Sequence, residues 1–173
     1  MLKNLAISFA AALFLAASAV AAEGPNDAQI ASIVVTANQV DIDAGKLAQS
    51  RASSAEVKDF GRQMVTDHAA VNKQASALAK KLKLTPQDNP TSQSLKSGGV
   101  ENLNKLQKLK GPAFDRAYVE HEVAYHAQVI DAINKTLIPN AKNAELKKLL
   151  ETGLPLFQGH LEHAKKIQAS LGK

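Results

Sequence analysis

Apolar residues recur at spacings of three and four along most of this 173-residue chain, which is the period of an amphipathic helix. Ile30, Ile33, Val34, Ala37, Val40, Ala44 and Leu47 predict a first helix over about 28–51. Val57, Phe60, Met64, Val71, Ala75, Leu78 and Leu82 predict a second, ending near Leu82. Its start, Ser53-Ser54-Ala55-Glu56, fits a capping box in which the Ser53 hydroxyl and the Glu56 carboxylate each satisfy a free backbone N–H. The stretch TPQDNPTSQSLKSGG at 85–99 is rich in turn formers and reads as a loop holding at most a short helix. Leu103, Leu106 and Leu109 suggest another short helix after it. Val119, Val123, Ile130, Ile133 and Leu137 predict a third long helix over about 112–137, opened by Gly111-Pro112 and closed by Pro139-Asn140. A fourth covers about 143–171, where Gly153 and Pro155 predict a kink or a junction of two helices, since proline removes a hydrogen bond and crowds the preceding turn. No stretch alternates as a strand does, and no internal repeat is evident. The fold class is therefore all-α: an up-down four-helix bundle with a longer connection between its second and third long helices.

The first 22 residues, MLKNLAISFAAALFLAASAVAA, follow a different logic. Lys3 makes a positive start, Leu5 to Val20 an apolar run too short for a span, and Ala19-Val20-Ala21 a small-residue cleavage pattern. Residues 1–22 are read as a secretory signal peptide, with a mature domain over 23–173. The expected location is periplasmic or otherwise exported, with no transmembrane segment in the mature chain. The 21 Lys+Arg against 16 Asp+Glu give a net charge of +5, and losing Lys3 reduces it to +4. Several of these lysines (Lys80, Lys81, Lys83, Lys165 and Lys166) are placed near expected helix ends, where they offset the negative end of the helix dipole. With aromatics at only 4% of the chain, this argues against a nucleic-acid partner. A protein partner and the oligomeric state stay open. The absence of cysteine removes disulfides, thiolate metal sites and cysteine nucleophiles from consideration.

Placing the polar residues on the helices gives the candidate chemistry. His68 lies four residues after Met64 and three before Val71, inside the apolar stripe. His126 lies three after Val123 and four before Ile130, with Glu122 one turn before it. His160 lies three after Phe157, and Asp41 stands at the edge of the first stripe. All are near mid-helix, so an up-down bundle brings them to one level. Two readings stay open. One is a buried polar layer in which imidazoles and carboxyls satisfy one another. The other is a transition-metal site formed by Asp41, His68, Glu122, His126 and His160, with copper, zinc or iron as the candidate ion and nickel also suited to imidazole. His160 and His163, three apart, form a possible surface chelate as well. A ferritin-type di-iron site fits poorly, because no acidic residue stands three before a histidine. Serine hydrolase chemistry lacks its Gly-x-Ser-x-Gly turn, and no phosphate-binding or dinucleotide loop is present. His121 falls off the stripe and is expected to face solvent, while Tyr118 and Tyr125 are expected to pack.

Four segments carry a family resemblance: DIDAGKLA at 41–48, EVKDFGRQMVTDH at 56–68, GPAFDRAY at 111–118 with His126, and LPLFQGHL at 154–161. Their order and spread resemble the exported bacterial proteins grouped as domain of unknown function 4142, some of which carry an outer membrane label. The resemblance implies a ferritin-like four-helix bundle and no established activity. His68, His126 and His160 match histidines of the family pattern, whereas Asp41 stands where the family usually has glutamate. The function expected is that of an exported, non-enzymatic bundle, stress-related in role, that binds a divalent metal through inward histidines. The alternative, by analogy of fold, is a metal-dependent oxidoreductase or peroxide-handling enzyme.

Overall fold

Five helices account for most of the computed structural model, which describes residues 24–172; the segment read as a signal peptide lies outside these. Helix α1 spans Asp27–Arg51, α2 Ala55–Lys81, α3 Pro90–Gln107, α4 Gly111–Ala132 and α5 Ala144–Leu171. After α4 the chain continues through a π-helical turn, Ile133–Leu137, and a final turn, Ile138–Asn140. The four long helices form the bundle, α1 packing on α2 and α4, and α5 on α4 and α2, while α3 lies across α1. No helix among the described residues is long and apolar enough to cross a membrane.

The helix starts show where local pattern suffices and where it does not. Asn26 caps α1 by accepting from Gln29 N (2.9 Å), and the Gln29 side chain accepts from Asn26 N (3.0 Å). The capping box expected at 53–56 does not form: Ser54, not Ser53, caps α2. The reason is tertiary. The buried Asp115 of α4 accepts from the backbone N–H groups of Ser53 (2.9 Å) and Ser54 (2.8 Å) and from the Ser53 hydroxyl. Gly111, at φ 54°, opens α4 in the left-handed region that favours glycine.

Two expectations change. The turn-rich 85–99 stretch is a loop only up to Asn89, which caps a helix with Pro90 in its first turn, and Ser92 completes a capping box; the two short helices expected are one, Pro90–Gln107. Turn formers here mark a helix start rather than a connection. The helix is held by docking rather than by propensity, since Ser92, Gly99, Asn102 and Leu106 are buried at helical spacing. A Cβ on Gly99 would come within 2.8 Å of Val40, so the glycine lets α3 lie close on α1. Of the kink or junction expected at Gly153 and Pro155, the junction is absent: the fourth long helix continues through Pro155. Pro155 lies on the exposed face, where the carbonyl it leaves without a partner can meet water.

Gly45 and Gly61 bring the backbones of α1 and α2 into close contact. A Cβ on Gly45 would lie 2.7 Å from the Gly61 carbonyl oxygen, and one on Gly61 2.9 Å from the Gly45 carbonyl oxygen. The backbones of α1 and α2 therefore touch about one turn beyond Asp41 and two turns before His68. Apolar packing on either side falls into two clusters. One gathers Ala44, Phe60, Met64, Leu106, Phe114, Val119 and Ile167, and the other gathers Ile30, Ile33, Ile133, Leu137, Leu146, Leu150 and Phe157. Along each long helix, the residues between these clusters are the polar ones identified from sequence.

Candidate metal centre

The polar layer draws Asp41 from α1, His68 from α2, Glu122 and His126 from α4, and His160 from α5, all between 0% and 3% exposed. The imidazoles form a triangle with ring centroids 5.5 Å (His68–His126), 5.2 Å (His68–His160) and 5.4 Å (His126–His160) apart. One nitrogen from each ring lies within 4.8 Å of the other two.

Hydrogen bonds assign the proton on every ring. Asn38 donates its amide to the Val34 carbonyl (2.8 Å), which turns its Oδ1 toward His68. That oxygen only accepts, so His68 Nδ1–H donates to it (2.7 Å). His126 Nδ1–H donates to the Glu122 backbone carbonyl (3.0 Å). His160 Nε2–H donates to the Asp67 carboxylate (2.9 Å), which is itself part-exposed. A neutral imidazole carries one N–H, so the lone pairs remain on His68 Nε2, His126 Nε2 and His160 Nδ1. Those three atoms are buried and have no hydrogen-bond partner among the described residues.

Burial also keeps the rings neutral. The dry surroundings push His68 down to about 2, helped by the neighbouring His126 and His160. His126 is pushed down to about 4, again mainly by burial. Burial lowers His160 as well, against the opposing pull of Asp67. At neutral pH the three rings are therefore unprotonated donors.

The two carboxyls stand on the other side of the rings. Asp41 Oδ2 is 3.5 Å from His68 Nδ1, and Glu122 Oε2 is 3.4 Å from His126 Nδ1. Asp41, Glu122 and His126 form a second group with donor atoms within 4.8 Å of one another. Burial raises Asp41 well above the usual carboxylate range, and the Glu122 charge adds to it. Burial pushes Glu122 up to about 8, although the Asp41 and Tyr118 side chains pull it down. All five candidate residues thus meet in one layer, as two groups that share His126.

Other placements differ from expectation. His160 and His163 form no surface chelate: His160 turns inward, while His163 meets Gln63 (Nδ1 to Oε1, 3.0 Å) and packs edge-on against Phe60. His121 is half-buried rather than solvent-facing, stacked on Tyr125 with centroids 5.5 Å apart. Tyr118 and Tyr125, by contrast, pack in the core as expected, and the Tyr125 hydroxyl donates to the Ala37 carbonyl (3.1 Å). Asn38 and Asp67 were not identified from sequence. The only hint of Asn38 was its place one turn before Asp41. Asp67 points away from its neighbour His68, and only the packing of α5 against α2 brings it to His160.

These features define a helical bundle with three converging imidazoles at its centre. A model of the protein family described as "Domain of unknown function (DUF4142)" matches residues 13–167, and the chain belongs to that family. Among solved structures the fold is similar to "CopM in the Cu(II)-bound form", with a TM-score of 0.65 and 14% sequence identity over 86% of this chain and 99% of that one. At that identity the likeness shows the bundle fold. No curated protein matches the chain.

Proposed function

We propose that this chain is an exported protein that binds one divalent transition-metal ion, copper or zinc, through His68 Nε2, His126 Nε2 and His160 Nδ1. The observation that carries the reading is the pairing of the ring nitrogens. On every ring the outer N–H is committed to a protein acceptor, and the inner lone pair is buried and without a partner. A layer built only to satisfy itself would not leave three buried acceptors without partners on rings that approach one another this closely. Acceptors behind metal-bound imidazoles fix tautomer and orientation; Asn38, the Glu122 carbonyl and Asp67 have that placement, with Asp41 and Glu122 supplying negative charge nearby. Neutral nitrogen donors favour copper over zinc in intrinsic affinity. The fold likeness to a protein solved with Cu(II) bound supports the same choice. The sequence pattern of residues 1–22 supports export.

Metal analysis of untagged protein tests the reading. After dialysis against equimolar Cu(II) and Zn(II), one equivalent of metal per chain is expected, mostly copper. A saturable rise in melting temperature should accompany it, since a ligand at 100 Kd adds about 2.7 kcal/mol. His126→Leu should stay folded and lose both effects. Absence of stoichiometric metal, or metal retained by His126→Leu, would overturn the proposal.

A further inference from the structure

On the His68 side of the polar layer the bundle is not filled. A pocket of about 170 Å³ lies between α1, α2, α4 and α5, with Thr91 and Leu95 of α3 in its wall. Close-packed interiors hold few voids larger than a water molecule. The pocket is partly open, with the exposed Thr91 and Gln128 at its edge, and its volume is close to the roughly 150 Å³ of an engineered apolar cavity that takes up benzene.

Three features mark this space as built rather than left over. First, its walls are aliphatic over most of their extent, with Val34, Val129 and Leu150 facing one another from three helices. Second, Ile133 and Leu137 come from the π-helical turn, where Ile138 N–H bonds back to the Ile133 carbonyl. Such widened turns are rare and recur at functional sites. Third, one end is polar: Asn38, Asp41, His68 and Tyr125 border it. Asn38 and Tyr125 already have partners. Asp41, 3% exposed, has an Oδ1 without one.

We propose that this pocket binds a small uncharged organic molecule with a body the size of one aromatic ring and one hydroxyl group, which meets the Asp41 carboxyl. The volume sets the size and the walls exclude charge, because an ion without a partner is costly to bury. A hydroxyl both donates and accepts, so it matches a carboxyl in either protonation state. His68 is a wall of the pocket and also a member of the imidazole triangle, so an occupant would lie against a ring of the candidate metal centre. The inference does not depend on metal binding and can be tested without it.

The test is titration of metal-free, untagged protein with phenol, benzene and benzoate, followed by calorimetry and by thermal unfolding. Phenol should bind saturably and raise the melting temperature, benzene should bind at least several-fold more weakly, and benzoate should not bind. Ala37→Leu and Ala132→Leu fill the pocket from α1 and from α4 without changing any side chain at its polar end. Each should weaken phenol at least tenfold while its circular dichroism remains native; if one fails to fold, the other decides. No saturable binding of phenol would overturn the proposal, as would unchanged phenol binding in a folded filled variant. Equal affinity for benzene would remove the role of Asp41.

Discussion

Glu122→Gln is the most exacting test of the polar layer, because Gln keeps the shape of the protonated side chain and has no proton to lose. Glu122 is fully buried, and its carboxyl is held near 8 rather than the ordinary 4.5, with burial as the main cause. A folded value above the unfolded one means that the group's contribution to stability is complete below about pH 4.5 and is lost as pH rises through 8. Each unit of pH inside that window costs about 1.4 kcal/mol. The stability of the wild type minus that of Glu122→Gln should therefore fall by between about 2 and 3 kcal/mol from pH 5 to pH 7. The depressed histidines have the opposite sign, their contribution being lost as pH falls below about 6.5, but they are common to both proteins and largely cancel in the difference. The assay is urea unfolding of metal-free protein at pH 5, 6 and 7, with slopes checked for equality between the two chains. Parallel pH profiles would refute the assignment of Glu122 as a carboxyl kept protonated by its surroundings.

Three further outcomes follow from particular contacts. Asp67→Ala should weaken metal binding by about 10- to 100-fold in a chelator competition, while Asp67→Asn, which keeps an acceptor for His160 Nε2–H, should lose less; affinities equal to wild type in both would show that this hydrogen bond does not orient the ring. Asp115→Ala removes the acceptor for Ser53 and Ser54 at the start of α2, and urea unfolding should show a loss of about 2–3 kcal/mol. Gly61→Ala presses a methyl onto the α1 backbone and should cost about 1–3 kcal/mol, whereas Gly98→Ala, on the exposed face of α3 with nothing within 4 Å, should add about 0.5–1 kcal/mol. The same sign for both glycines would contradict the packing described.

How far the chain could be read before its structure depended on the range of the interaction. The stripes of α1, α2, α4 and α5, and the positions of His68, His126 and His160 within them, follow from spacing alone, because helix period and depth place each residue without reference to a partner. Asp41 and Glu122 were accessible in the same way. The role of Asp67 was not: an adjacent pair on a helix diverges, and whether the outer member meets anything depends on the helix packed beside it. Helix α3 was legible only as two short pieces, because Asn89, Pro90 and Ser92 act equally well as turn and cap residues, and docking of Leu106 and Gly99 decides between them. Ser53 lost its expected role to Asp115, a residue brought from a different helix. His121 was misplaced for a related reason, since stacking on Tyr125 half-buries a position that lies outside the stripe.

The three inward rings sit on α2, α4 and α5, separate parts of the chain with a further helix between the first two. No short segment holds even two of the three lone pairs, so the unfolded chain has no partial version of this site, only isolated histidines. Because such a site takes shape with the fold, and its contacts are distant in sequence, it would close only after α5 docks. Metal uptake by this protein would then be timed by the last packing step, and the ion taken would come from the compartment where folding finishes rather than the one where synthesis begins.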